Sequence, residues 1–307
     1  MWPVQFLLAC FVAALASPAF AAPDEELLGK ANGYPVGTRA NWFFDEGVRV
    51  GSFSHLDEIL PHYTLNKAQS PLPLAKAAAE VKLGYRFENQ AWTLEDFLAH
   101  QRVTGLLVIK DGAVLFERYQ YDRKPADRFI SHSMAKSIVS LGVGMAVAEG
   151  KIASLDDLVS KYVPKLAGSA YGETTIRNVL RMSSGVKFSE AYDGNDDLTR
   201  FVIVRSREGS IAALREFNTR EAEQGTRFHY ASSETMVLTV LLHAVTGTTL
   251  SEYLTARLWQ PIGAEGAATW IMGADGTESG FGNFNATLRD YGRRGLMLAI
   301  AGVVGGK

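Results

Sequence analysis

The chain has 307 residues, 47% of them hydrophobic, and a formal net charge of −2. That is enough apolar material for one large domain or two intimate ones. The balanced charge, with no Lys/Arg cluster standing out, argues against a nucleic-acid partner.

The chain opens "MWPVQFLLACFVAALASPAFAAPDEE". Its apolar run ends in Ala19-Phe20-Ala21, a small-x-small cleavage pattern, followed by Ala22, Pro23 and acids. This predicts a signal peptide over residues 1–21 and a periplasmic or secreted product without stable membrane insertion after cleavage. A retained anchor is one alternative, although the run is short for a spanning helix. A lipoprotein signal, Leu7-Leu8-Ala9 before Cys10, is another, although the run continues past the cysteine. Cys10 is the only cysteine, so a chain cleaved after Ala21 has no disulfide, thiol nucleophile or cysteine metal site. The six histidines show no ligand spacing, and no metal or organic cofactor is expected.

Residues 24 to about 70 lack a steady period and read as an extended N-terminal wrap. "TGLLVIKDGAVLFERYQY" is two β-rich runs around Asp111-Gly112, a strong hairpin signal. From Ser133 to Glu149 nearly every position is apolar or small, which predicts a helix buried on all sides that stops at Gly150. Ser154-Leu155-Asp156-Asp157 resembles a capping box opening a short helix that Pro164 closes. "TTIRNVLRMSSG" predicts a short helix ending at Gly185. Residues 186–225 are polar and loop-rich, with Asp193, Asp196 and Asp197 as a solvated acidic group lacking the spaced series of a calcium loop. "SSETMVLTVLLHAVTG" and "LSEYLTARLWQPIGA" are further helices. A turn falls at Asp275-Gly276, "ESGFGNFNAT" reads as a plain helix-entry loop, with a place on the cleft rim as the alternative, and Thr287 to Ala301 is a last helix capped by Thr287-x-x-Asp290. The order is α+β: a strand pair, a mainly helical stretch over roughly 133–260, then strand-like pieces of an antiparallel sheet, within a single domain over 22–307.

Ser133 stands three places before Lys136 at the mouth of the first apolar helix. Residues three apart share a helix face. A serine hydroxyl is a weak nucleophile without an adjacent base, and a neutral amine can be that base. Burial disfavours a charged lysine, as does the positive end of a helix dipole, so both push this amine toward neutrality. The same helix end presents N–H groups for a developing oxyanion. The plainer reading makes Ser133 an N-cap and Lys136 a snorkelling surface cation. Tyr230, at the entrance of another apolar helix, adds a phenol as a second acid/base group. His132 and His229 neighbour these residues, but no G-x-S-x-G elbow is present, and both read as structural or cleft-lining.

"FISHSMAKSIVSLGVGMAVAEGKIASLDDLVSKYVPKL", "TTIRNVLRMSSGVKFSEAY" and "GTRFHYASSE" together resemble three blocks, in order, of the serine β-lactamase-like family. That family includes penicillin-binding proteins, class C β-lactamases, related esterases and 6-aminohexanoate-oligomer hydrolases. The resemblance runs from about residue 103 to the end. It implies a β-lactamase/transpeptidase-like fold, with Ser133 as the acylated nucleophile and Lys136 and Tyr230 moving protons. It also implies the Ser133 N–H as half of the oxyanion hole. Tyr192 falls where the amide-hydrolysing members have a substrate-contacting tyrosine; a surface-loop residue is the alternative.

Two positions depart from the pattern. Ser232 stands where members often carry Asn, so the substrate contact there is shorter; this favours esterases and oligomer hydrolases over β-lactamases. The family's strand bearing Lys-Thr-Gly, His-x-Gly or an equivalent is not found after Tyr230, where the sequence reads "GLMLAIAGVVGGK". The C-terminal strands are therefore expected to be missing, with one oxyanion donor lost. The expected function is an exported serine hydrolase acting on small ester or amide substrates, linear amide oligomers among them. The alternatives are a D-Ala-D-Ala peptidase or β-lactamase, and a truncated remnant that only binds ligand. The sequence leaves the oligomeric state open.

Overall fold

The computed structural model describes residues 22–300 and 302; the expected signal peptide and Cys10 lie outside the described residues. The N-terminal stretch is more ordered than its irregular composition predicts. It carries helix α1 (Glu46–Ser54), the short α2 (Leu56–Ile59) and strand β1 (His62–Leu65). Asp45 starts α1 by accepting the Gly47 N–H at 3.0 Å. The helix was hidden because its apolar residues are few and separated by glycine and serine.

Next come β2 (Ala75–Lys76), the hairpin β3 (Gly84–Phe87) and β4 (Gln90–Thr93), and α3 (Leu94–His100). β5 (Gly105–Lys110) and β6 (Ala113–Tyr119) form the expected hairpin. Asp111 and Gly112 both have positive φ, 51° and 79°, the sign a two-residue turn between twisted strands requires. β7 (Arg128–Ile130) leads into a 3-10 turn over His132–Met134 and then α4 (Ala135–Ala148).

Between β7 and β8 the described chain carries helices, joined by turns and loops, with isolated bridges and no strand. The Ser154 box forms, with the Ser154 N–H on Asp157 and the Asp156 N–H on Ser154, but it opens only a 3-10 turn over Val159–Lys161. Pro164 begins another such turn rather than closing a helix. α5 spans only Ile176–Leu180, well short of Gly185. The polar stretch read as loop-rich holds α6 (Asp197–Glu208) and α7 (Ser210–Glu216). Asp196, read as a solvated acid, is the buried N-cap of α6 and accepts the Thr199 N–H at 2.9 Å. α6 is so rich in charge that its inward face, Phe201 and Arg205, gives no periodic signal.

α8 (Ser232–Thr246) and α9 (Leu250–Leu254) follow as expected. β8 (Ala268–Ile271), β9 (Phe284–Thr287) and α10 (Leu288–Ala299) complete the described chain. "ESGFGNFNAT" therefore ends in a strand, not a plain helix-entry loop.

The strands make one antiparallel sheet of order β1-β8-β9-β7, a smaller sheet β2-β6-β5 with β2 parallel to β6, and the separate β3–β4 hairpin. β8 and β9 are buried throughout. α8 is buried from Ser232 to Leu242 and packs on α4 and α5. α4 itself is not sealed on all sides: Ile138, Val139, Gly142 and Val143 face the core, whereas Ser137, Ser140 and Gly144 are exposed. Small polar residues on one face make this helix two-sided.

The start of α10 is fixed by Asp290. It accepts the Glu265 and Gly266 N–H groups at 2.9 Å each, the Thr287 hydroxyl at 2.8 Å and Arg293 at 2.8 Å, and is fully buried. Removing one member of a buried charge network leaves its partners uncompensated. Asp290→Ala is expected to lower unfolding free energy in urea by about 3–5 kcal/mol. Thr287→Ala, which loses the cap and one hydroxyl donor to Asp290 but leaves the charge pair with Arg293, is expected to cost less, about 1–2 kcal/mol.

Candidate active site

Ser133 and Lys136 meet as their spacing predicts. The 3-10 turn delivers Ser133 to the surface, and α4 begins immediately after it. Lys136 Nζ lies 2.9 Å from Ser133 Oγ and 2.8 Å from the main-chain carbonyl of Phe281. Ser133 makes no side-chain cap to either helix start, so the plain N-cap reading fails. Lys136 is half-buried rather than enclosed, so the apolar run shields it only in part.

Tyr230 is placed beside them, with its ring centroid 4.9 Å from Lys136 Nζ. The contact is with the aromatic face, which attracts a cation. The segment before α8 is pinned by His229. Its N–H donates to the Met182 carbonyl at 2.7 Å, and its Nε2 lies 2.6 Å from the Phe188 carbonyl. His229 is thus structural, as its sequence context predicts.

Tyr192 and Ser232 meet at a residue the sequence did not single out, Glu190. One carboxylate oxygen accepts the Tyr192 hydroxyl at 2.6 Å and the Ser232 hydroxyl at 2.7 Å. The other accepts the Ser232 N–H at 2.7 Å. Ser232 is buried, and its hydroxyl and N–H are both held by Glu190, which fastens the first turn of α8. Tyr192 remains 60% exposed, with backbone in the left-handed region at φ 60° and its N–H held by Asp196 at 2.7 Å. Partial burial and the Glu190 carboxylate hold its phenol protonated well above the ordinary range.

The Phe281 carbonyl is fixed by a loop that four elements clamp. Trp270 Nε1 of β8 donates to the Ser279 and Gly282 carbonyls at 3.0 and 3.1 Å. Arg205 of α6 donates to Ser279 Oγ at 3.0 Å and the Thr277 carbonyl at 2.5 Å. Glu278, fully buried, accepts the Ser251 N–H of α9 at 2.8 Å and contacts His243 of α8 at 2.5 Å. Burial opposes ionisation of Glu278, but these partners outweigh it and leave its carboxyl below the usual range. Gly280 is needed for the approach, because a Cβ there would stand 1.9 Å from Thr239 Oγ1. The sequence offered only one trace of this loop, its run of glycines.

The chain belongs to the β-lactamase family: the model described as "Beta-lactamase" matches residues 92–296. A 6-aminohexanoate-dimer hydrolase of Paenarthrobacter ureafaciens is 30% identical over 83% of this chain and 66% of its own length. An Escherichia coli K12 protein provisionally described as a D-alanyl-D-alanine carboxypeptidase is 20% identical over 60% of this chain and 43% of its own. The chain thus spans less than two thirds of the length of either relative. The fold matches a solved Bacillus anthracis protein, provisionally described as a 6-aminohexanoate-dimer hydrolase. That structure has a TM-score of 0.78 and 21% identity, over 87% of this chain and 72% of that one. An octameric penicillin-binding protein homologue from Pyrococcus abyssi aligns at TM-score 0.51 and 21% identity, over 64% of this chain and 52% of that one.

Beneath the site, Glu234 of α8 is buried and accepts the Ser184 N–H and hydroxyl at 3.2 and 2.7 Å. Its other oxygen has no partner among the described residues. Burial pushes its carboxyl up to about 7 from 4.5. A raised acid binds its proton more tightly when folded, so its contribution to stability falls as pH rises from about 4.5 through about 7. Glu234→Gln removes that dependence. The stability of the variant relative to wild type is expected to rise by up to about 3 kcal/mol between pH 4.5 and pH 8 in urea titrations.

Proposed function

We propose that this chain is a serine hydrolase that cleaves small amides or esters through an acyl-Ser133 intermediate. The observation that carries the reading is the 2.9 Å contact between Lys136 Nζ and Ser133 Oγ, with the amine also anchored on the Phe281 carbonyl at 2.8 Å. The Phe281 carbonyl holds the Lys136 amine against the serine hydroxyl, where it acts as the base. Ser133 Oγ attacks the substrate carbonyl carbon while its proton passes to Nζ. The leaving nitrogen or oxygen then departs with a proton relayed from Lys136 by way of the Tyr230 phenol. Water adds to the acyl-serine carbonyl and gives its proton to the same pair, which returns it to Ser133 Oγ as the ester bond breaks and the acid is released.

The relative named as a 6-aminohexanoate-dimer hydrolase supports linear amides as the substrate class. Tyr192 supports the same class, as an exposed ring whose orientation Glu190 fixes. The apolar run ending in Ala19-Phe20-Ala21 supports action outside the cytoplasm. A D-Ala-D-Ala peptidase or β-lactamase would be favoured by a polar group projecting from position 232, but that hydroxyl is turned to Glu190.

The test is steady-state hydrolysis of p-nitrophenyl acetate and of a linear 6-aminohexanoate dimer. Ser133→Ala is expected to lose at least about 10³-fold in kcat/KM. Lys136→Met and Tyr230→Phe are expected to lose about 10²–10⁴-fold. A Ser133→Ala protein as active as wild type refutes the reading. Trp270→Phe, which frees the Phe281 loop without touching substrate, is expected to lower kcat by roughly tenfold with little change in KM. An equal rise in KM would mean that the loop serves binding instead.

A further inference from the structure

An aromatic cluster that the family match does not include stands against the nucleophile turn. The match begins at residue 92, whereas Trp42, Phe43, Phe44 and Phe53 lie in and just before α1. Phe43 and Phe53 meet the ring of His132 edge-on, with centroids 6.1 and 5.0 Å apart. Phe44 meets Phe43 at 4.9 Å, and Trp42 meets Phe43 at 5.3 Å. His132 immediately precedes Ser133, in the left-handed region at φ 41°. Its ring is crowded by the phenyl groups, which lowers its basicity below the ordinary imidazole value.

The cluster is built rather than frayed. Arg49 of α1 donates to the Phe43 and Phe44 carbonyls at 3.2 and 3.3 Å, and Asp45 caps the helix that follows. Yet it is not closed over. Phe44 is 71% exposed, and Trp42, Phe43 and Phe53 are only partly buried. Contiguous exposed aromatic surface beside a reactive group marks a place where an apolar ligand part is expected to lie.

We propose that Trp42, Phe43, Phe44 and Phe53 form an apolar specificity wall that takes an unbranched alkyl chain on the acyl side of the substrate. The inference rests on the acyl-serine reading above. The acyl chain is held on Ser133 Oγ from acylation until water releases it, whereas the leaving group departs after the first step; the wall meets the ring of the adjoining His132, so the acyl chain is the part that stays beside it longest.

The experiment is kcat/KM for p-nitrophenyl acetate, butyrate, hexanoate and octanoate, on wild type, Phe44→Ala, Phe43→Ala and a control, Phe87→Ala. Phe87 is a similarly exposed aromatic on β3. Wild type is expected to gain about threefold per added methylene until the wall is covered. Phe44→Ala is expected to lower the octanoate-to-acetate ratio at least about tenfold, and Phe87→Ala to leave that ratio unchanged. If Phe43→Ala fails to fold, Phe44→Ala decides alone, because its side chain is mostly in solvent. A ratio unchanged in Phe44→Ala, or lowered equally by Phe87→Ala, overturns the wall. Wild type that hydrolyses none of the esters, or Ser133→Ala that matches it, refutes the acyl-serine reading instead.

Discussion

The site depends on one bridging group, the Lys136 amine between the Ser133 hydroxyl and the Phe281 carbonyl. A flexible four-carbon side chain has many rotamers, and a hydroxyl partner alone holds it poorly. The carbonyl supplies a second, rigid point, because its loop is bonded to α6, α8, α9 and β8 at once. Much of the buried polar chemistry of the helical half therefore serves to place one backbone oxygen. Arg205, Glu278 and Trp270 touch neither serine nor lysine, but they determine where the lysine can rest.

A second constraint acts at the entrance of α8. Ala231, the residue before the helix, offers no side-chain cap. Glu190 does that work instead, arriving from a neighbouring loop to take the Ser232 N–H, while Glu234 reaches out from the helix itself to Ser184. Negative charge at a helix N-terminus is favourable, and here it also fastens the loops of Tyr192 and Ser184 to the segment that carries Tyr230. The cost is visible at Glu234, where burial, with one oxygen lacking a partner among the described residues, pushes the carboxyl up to about 7.

What the sequence revealed follows from how local each signal is. The Asp111-Gly112 hairpin, the Thr287 cap and the Ser133–Lys136 pairing need only a few neighbouring residues, and all three stand in the structure. α6 and α7 escaped because their charged sequence buries only a few residues, and α1 because glycine and serine break its period. The direction of the Ser232 hydroxyl is set by Glu190, 42 residues away, which no local pattern contains. The Phe281 carbonyl is a backbone acceptor, and a backbone acceptor leaves no mark on residue identity. Lys136 lies at the base of an apolar run but beside an exposed helix face, so its half-burial is a tertiary fact that periodicity does not contain.

The most direct measurement of the central claim is intact-protein mass spectrometry of the full chain after reaction with a fluorophosphonate, followed by peptide mapping. The account predicts one adduct, on Ser133, and loss of that adduct in Lys136→Met while the fold persists by circular dichroism. No adduct on well-folded wild type, or an adduct on a different serine, would contradict it.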